Sequence, residues 1–405
     1  MIHIIDKTDC SGCAACYSIC PKDCINMVAD SEGFLYPQVN ETICTNCGLC
    51  DRVCPIIHPI EERRIEQHAY LVQIKNEKIR RESTSGGAFT AIAQWIIQHD
   101  GVVFGAAFDE NFVVKHRYVD NMDDLYCFRN SKYVQSQIGE TFRQIKFFLK
   151  KGRWVCFSGT PCQIEGLYQY LQKREYDKLV LIDFVCRAVP SPLLLKKYIH
   201  VQQSLLGNKT RQIIFRDKYY GYKYSTFSIY ENDAKCMYHR GVETDPYLRA
   251  FFSNVSVRPS CYQCKFKKRY RISDFTLWDC FNVADFSRKM DDDKGTTRVL
   301  IHKSKADHIL KEITDSIFIE RINEDKAVQG VREMIESVPY NKKRPEFFND
   351  LNRIPPQIFF NKYFPETLRV RIERIVRLMC YELGIYNQMK KVFKWLYQNE
   401  VNQKH

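Results

Sequence analysis

The pattern of apolar and polar positions divides the middle of the chain into strands and helices in alternation. The runs AYLVQIKN, GVVFGAAF and FVVKHRYV read as strands. RWVCFSG and KLVLIDFVC read as strands too, and the helical pattern PCQIEGLYQYLQ between them makes a strand–helix–strand unit. TFRQIKFFLKKG is helical in pattern, as is the stretch from Ala88 to His99. The loop before Ala88 supplies capping hydroxyls at Ser83, Thr84 and Ser85. The aromatic-rich FRDKYYGYKYSTFSIYEN predicts antiparallel strands. From Pro339 onward the chain is basic and helical, and RVRIERIVRLMCYELGIYNQMKKVFKWLY is amphipathic. A solvated basic face accounts for that pattern; docking to a membrane surface or a partner is the sharper alternative.

Length and composition suit a soluble protein of two or three domains: 405 residues, 45% hydrophobic and 27% charged. The longest apolar runs, such as LVLIDFV, are strand-sized and too short to span a bilayer. The first ten residues already carry Asp6, Lys7 and Asp9 and lack a signal-peptide layout, so a cytoplasmic location is expected. Charge is uneven. Residues 1–60 hold seven acids and three bases, whereas the whole chain is +13. A basic body suits phosphates, nucleotides, nucleic acid, an anionic membrane surface or an acidic electron donor.

The eighteen cysteines change the picture most. In a reducing compartment, clustered cysteines point to metal or catalysis rather than disulfides. Eight fall in two runs, CSGCAACYSICP from Cys10 and CTNCGLCDRVCP from Cys44, each spaced C-x2-C-x2-C-x3-C-P. That is the bacterial ferredoxin spacing. Three thiolates on a tight loop hold three corners of a cubane, and the fourth reaches the cluster of the other run. One cluster is therefore expected on Cys10, Cys13, Cys16 and Cys54, the other on Cys44, Cys47, Cys50 and Cys20. Zinc and unpaired buried thiols are the alternatives, and zinc usually takes two C-x2-C pairs rather than two complete quartets. Cys24 lies outside both quartets and reads as a small core residue. Beyond this duplication the chain shows no internal repeat.

In the body, Cys162 follows the first strand of the strand–helix–strand unit and Cys186 ends the second. Parallel pairing would bring both to one carboxyl edge, where open sheets hold ligands. CYQC supplies Cys261 and Cys264 amid the basic KFKKRYR. A third cluster, a redox dithiol, half of a zinc site and scattered core thiols all remain open on spacing alone. The loop holding Ser85, Gly86 and Gly87 opens a helix, which is either a phosphate site or plain capping.

Five stretches together, in order, resemble the coenzyme F-420 hydrogenase/dehydrogenase beta-subunit family: STSGGAF, SKYVQS, FSGTPCQIEGL, DFVCRAVPS and RPSCYQCKFKKRYRISDFTLWD. A two-cluster ferredoxin module fused to such a body is a bacterial arrangement often found with surface-polysaccharide genes. The resemblance implies an FAD in the body, lined by Ser85, Gly86, Gly87, Ser131, Lys132, Tyr133 and Asp279. Lys132 would stabilise the reduced, anionic ring. It also makes Cys162, Cys186, Cys261 and Cys264 candidate ligands of a third 4Fe-4S cluster. Two departures stand out. Arg187-Ala188 replaces the family's usual His-Gly, and Trp278 to Asn282 reads WDCFN in place of Gly-Asp-Phe-Trp-Gly. A reshaped pocket is expected there.

The resulting expectation is an α+β protein of three parts. Residues 1–60 form a bacterial two-cluster ferredoxin module, 68–335 a mixed α/β flavin-binding body, and 336–405 a basic helical segment. Its function would be electron transfer from a ferredoxin-like donor through 4Fe-4S clusters to FAD and a small organic acceptor. Candidate proton donors are His116, His200, His239 and Tyr133. The rival is an adaptor without a substrate of its own that serves a partner enzyme, and no nucleic-acid partner is expected.

Overall fold

The computed structural model describes residues 1–386 apart from 208, 233 and 234, together with 388, 389 and 392. The amphipathic C-terminal pattern runs past these, so its last part lies outside the described residues.

The two N-terminal runs fold alike because they place left-handed backbone at matching positions. Gly12 and Asn46 have φ 73° and 51°; Ala14 and Gly48 have φ 61° and 71°. Left-handed residues turn consecutive N–H groups inward, and each run then enters a short helix, Ala15–Ile19 or Leu49–Arg52. Between the runs, the strands β1 (Ile25–Ala29) and β2 (Leu35–Val39) form an antiparallel hairpin.

The body is built on a mixed eight-stranded sheet. Its strands are β3 (His68–Ile74), β4 (Val102–Phe108), β5 (Val114–Val119), β6 (Val155–Gly159), β7 (Leu179–Phe184), and then β11 (Phe275–Asp279), β12 (Thr297–Ile301) and β13 (Ile317–Ile322). A separate antiparallel sheet holds β8 (Gln212–Asp217), β9 (Thr226–Asn232) and β10 (Lys235–Arg240). The large sheet runs β13-β3-β12-β11-β7-β6-β4-β5. Strands β4, β6, β7 and β11 are parallel and the outer strands antiparallel. The period of two sorts the side chains between two covered faces. Val103, Cys156, Val180 and Ile182 pack under the helices Ala88–Gln98 and Ser304–Glu312. Phe104, Val155, Phe157, Leu179 and Leu181 face the helices Thr141–Lys150 and Pro161–Tyr170.

The second face also receives Cys13, Ala14, Ala15 and Val53, so the N-terminal module is docked into the body's core. Phe34 of the β1–β2 turn enters the other core, among the three-stranded sheet and the helices Pro192–Leu206, Arg344–Arg353 and Pro356–Tyr363. Polar pins fix the contact. Arg143 donates to the carbonyls of Tyr17, Ser18 and Cys20 and pairs with Asp23. Arg344 grips Glu32 with both guanidinium arms, and both side chains are largely buried.

The paired groups at Arg344 and Glu32 make a direct test of the docking. Arg344→Met leaves a largely buried carboxylate unpaired, at an expected cost of about 3 kcal/mol. A lower denaturant midpoint with an unchanged slope is the expected readout.

Candidate metal centres

The four cysteines expected to share one cluster surround one hollow. Cys10, Cys13, Cys16 and Cys54 line a partly open space of about 340 Å³, with Ile2, Ile4 and Met27 among the apolar walls. Cys20, Cys44, Cys47 and Cys50 line a second, of about 350 Å³. The fourth cysteine of each run has thus crossed to the other's hollow. Four thiols round one hollow suit a polynuclear core. The walls supply N–H donors to sulfur: Ile2 N lies 3.2 Å from Cys50 Sγ, and Asn46 N 3.4 Å from Cys44 Sγ.

Cys24 packs, as its sequence reading expects, in a small core with Ile2, Cys16, Ile25 and Cys50, and also borders a cysteine site. It lines the second hollow, and its Sγ is 3.3 Å from Cys20 Sγ. Burial, then the neighbouring Cys20, pushes its thiol up to about 12. Its position four residues past Cys20 belongs to no cluster spacing, so only the folded hairpin reveals the contact.

The body cysteines also come together. Parallel pairing of β6 and β7 sets Cys162 and Cys186 beyond the same edge. Cys162 is the second residue of the helix Pro161–Tyr170, whose N-terminus favours a thiolate. Cys261 lies in the short 3-10 helix Pro259–Gln263, and Cys264 follows it. Cys162 feels the charges of Cys264, Cys186 and Cys13, and Cys261 those of Cys186 and Cys264. Burial pushes Cys186 up to about 11 and Cys261 to about 12. Lys267 and Arg271, from the basic run, pull Cys186 the other way. Lys267 Nζ is held by the carbonyls of Cys186, Arg187 and Glu333.

The first hollow adjoins this group. A Cβ on Gly166 would stand 2.9 Å from Cys13 Cβ and 3.0 Å from its Sγ. Gly166 is one helical turn from Cys162, so the glycine lets the Cys13 loop sit against the helix that carries Cys162.

The seven residues expected to line a flavin gather in one region, but several are engaged within the protein. Ser85 Oγ binds Thr296 O and Thr297 Oγ1. A Cβ on Gly86 would meet Val72 O at 2.2 Å, and one on Gly87 would meet Ile74 Cγ2 at 2.5 Å. Close strand packing therefore explains both glycines without a ligand. Lys132 Nζ donates to the carbonyls of Cys127, Arg129 and Asn130, and burial lowers its pKa to about 7. Ser131 Oγ pairs with Thr84 Oγ1. Tyr133 and Asp279 meet at Arg216, a residue sequence reasoning missed. Its Nη1 donates to Tyr133 Oη and Asp279 Oδ2, both at 3.1 Å, while Nη2 has no hydrogen-bond partner among the described residues. As a flavin cradle the set fits only through these three. The departing residues Trp278, Cys280 and Asn282 close round the Arg298 guanidinium.

Of the candidate proton donors, Tyr133 belongs to this cluster through Arg216. His116 is buried with Nε2 on Ser158 O, and burial lowers its pKa to about 4. His239 stacks on Tyr219, and His200 is exposed.

Paired cysteine hollows joined to an α/β body with four further clustered thiols define an iron–sulfur protein of composite build. Residues 9–56 match the 4Fe-4S dicluster domain. Residues 152–327 match the family described as the C terminus of the Coenzyme F420 hydrogenase/dehydrogenase beta subunit. Comparison with curated proteins finds no match. Among solved structures, the chain is similar to a chain of the F420-reducing [NiFe] hydrogenase complex from Methanosarcina barkeri. That likeness is at 14% identity over 76% of this chain and 97% of that one, with a TM-score of 0.44. No helix among the described residues is long and apolar enough to cross a membrane.

The crossover of the fourth cysteine has a spectroscopic consequence. Cys54→Ala and Cys10→Ala should each lose about four irons and leave superimposable EPR spectra. A Cys54→Ala spectrum that instead matches that of Cys44→Ala would overturn the pairing.

Proposed function

We propose that the chain is an iron–sulfur electron carrier within an oxidoreductase, with a serial path through three 4Fe-4S clusters. Cys20, Cys44, Cys47 and Cys50 hold the outermost, where exposed Cys47 gives a ferredoxin-like partner access. Cys10, Cys13, Cys16 and Cys54 hold the next. Cys162, Cys186, Cys261 and Cys264 hold the innermost. The observation that carries the reading is the seating of Cys13 against Gly166, one turn from Cys162, because electron transfer needs close approach between carriers.

The narrower reading adds FAD and a small organic acceptor. It is supported by Arg216, whose spare Nη2 and whose contacts with Tyr133 and Asp279 offer a cation to an anionic ring or phosphate. Arg216 takes in this reading the role expected of Lys132.

Iron, acid-labile sulfide and released flavin per chain, on anaerobically purified protein, test both readings. About twelve irons are expected from three cubanes, and about one flavin from the narrower reading. About eight irons would remove the innermost cluster and with it the serial path. Twelve irons without flavin would leave a carrier that serves a partner enzyme.

A further inference from the structure

Arg258 is the largest fully buried side chain among the described residues, 1% exposed. It lies between two of the cysteine sites. Its Nε donates to Cys10 O at 2.8 Å, and its Nη1 is 3.0 Å from where a Cβ on Gly12 would stand. On its other side, Arg258 O accepts from Cys261 N at 3.0 Å, and the guanidinium charge acts on the Cys261 thiol. The guanidinium's remaining contacts are Leu35 O, Gln135 Oε1 and the faces of Tyr36 and Phe34, and Arg258 N donates to Val189 O. Every one of these partners is uncharged.

No carboxylate among the described residues pairs with Arg258. Buried Arg80, Arg271, Arg344 and Arg377 each face one: Asp292, Asp183, Glu32 and Glu373. Arg298 shares the lack, but at the Trp278–Asn282 turn. An enclosed cation without a counter-charge is costly, and carbonyls and rings offset only part of that. An iron–sulfur core on four thiolates carries net negative charge and gains one more unit when it takes up an electron.

We propose that Arg258 is the shared counter-charge of the two iron–sulfur sites it separates, and that its cation holds up the reduction potentials of both. The inference rests on the three-cluster reading above. A fixed positive charge stabilises the reduced, more negative core most, and the dry surroundings of Phe34 and Tyr36 strengthen the effect. The outer site of Cys20, Cys44, Cys47 and Cys50 has no contact with Arg258 and serves as an internal reference.

Redox titration followed by EPR, after iron counting, tests this. Arg258→Gln should lower the midpoints of the first and body clusters and leave the outer one in place. Arg258→Lys, which keeps the charge, should remain near the parent. Gln135→Glu puts a carboxylate against the intact guanidinium and should lower the same two midpoints. Unchanged potentials in fully loaded Arg258→Gln, or equal shifts at all three clusters, would overturn the proposal. If Arg258→Gln does not load iron, Gln135→Glu decides, and unchanged midpoints there overturn it. A parent count near eight irons defeats the three-cluster reading instead, and the first cluster's midpoint still reports on Arg258.

Discussion

Cys13 seats its Cβ and Sγ in the space that any side chain on Gly166 would fill, so loop and helix meet at close range. The contact is possible only because the left-handed residues Gly12 and Ala14 curl the loop around its thiols and present a compact convex surface. Gly12 is pressed in turn by Gln135 and Arg258 of the body. The N-terminal module is therefore held by the fit of the loop that carries its cysteines, and any drift of the module would move those thiols. Arg143 and Arg344 clamp the module's far ends, which restricts rotation about that fit. A carrier module tethered only by the linker after Pro55 would lack this fixed geometry.

Burial sets the chemistry of the body thiols. Cys162, Cys186 and Cys261 are half-buried, and each is pushed above the ordinary thiol range by loss of water. Neutral thiols cost far less to bury than thiolates. Loading metal must displace their protons, and the cations Lys267 and Arg271 reduce that cost at Cys186. The basic run KFKKRYR therefore has a local role that its sequence suggests only as general positive charge. Lys268 pairs with Glu165, Arg269 with Asp325 and Arg271 with Asp183, so much of the run's charge is taken up within the chain.

Much of this was legible in the sequence where a local rule applied. The alternation in RWVCFSG and KLVLIDFVC gave β6 and β7, and the repeated C-x2-C-x2-C-x3-C-P anticipated which of its cysteines line each hollow. What escaped depends on contacts between distant segments. Strands β11 and β12 are short, carry Asp279 and Arg298, and join the sheet with opposite directions, so neither reads as a buried strand. The helix Pro192–Leu206 begins with a Ser191 cap and a proline, a start signal the alternation-led reading passed over. Arg258 stands in RPSCYQC with nothing beside it to mark burial. Arg216 lies among aromatics that suggest only a strand.

The loop STSGGAF shows how a motif and its chemistry can separate. Glycines before a helix suggest a cradle for phosphate, yet here each missing Cβ is required by protein: β3 backbone and Thr297 N at Gly86, Ile74 at Gly87. Ser85 and Gly86 N bind Thr297, which stitches the loop to β12. The helix N-terminus is thereby turned into the sheet. What the loop positions instead is Ser85 O, which accepts from Lys218 Nζ at 2.6 Å. Lys218 lies within electrostatic reach of Asp279 and Arg216. The loop thus supports the polar cluster at the end of β11 from behind. A ligand in this region would meet Arg216 and its neighbours, with the glycines a layer beneath.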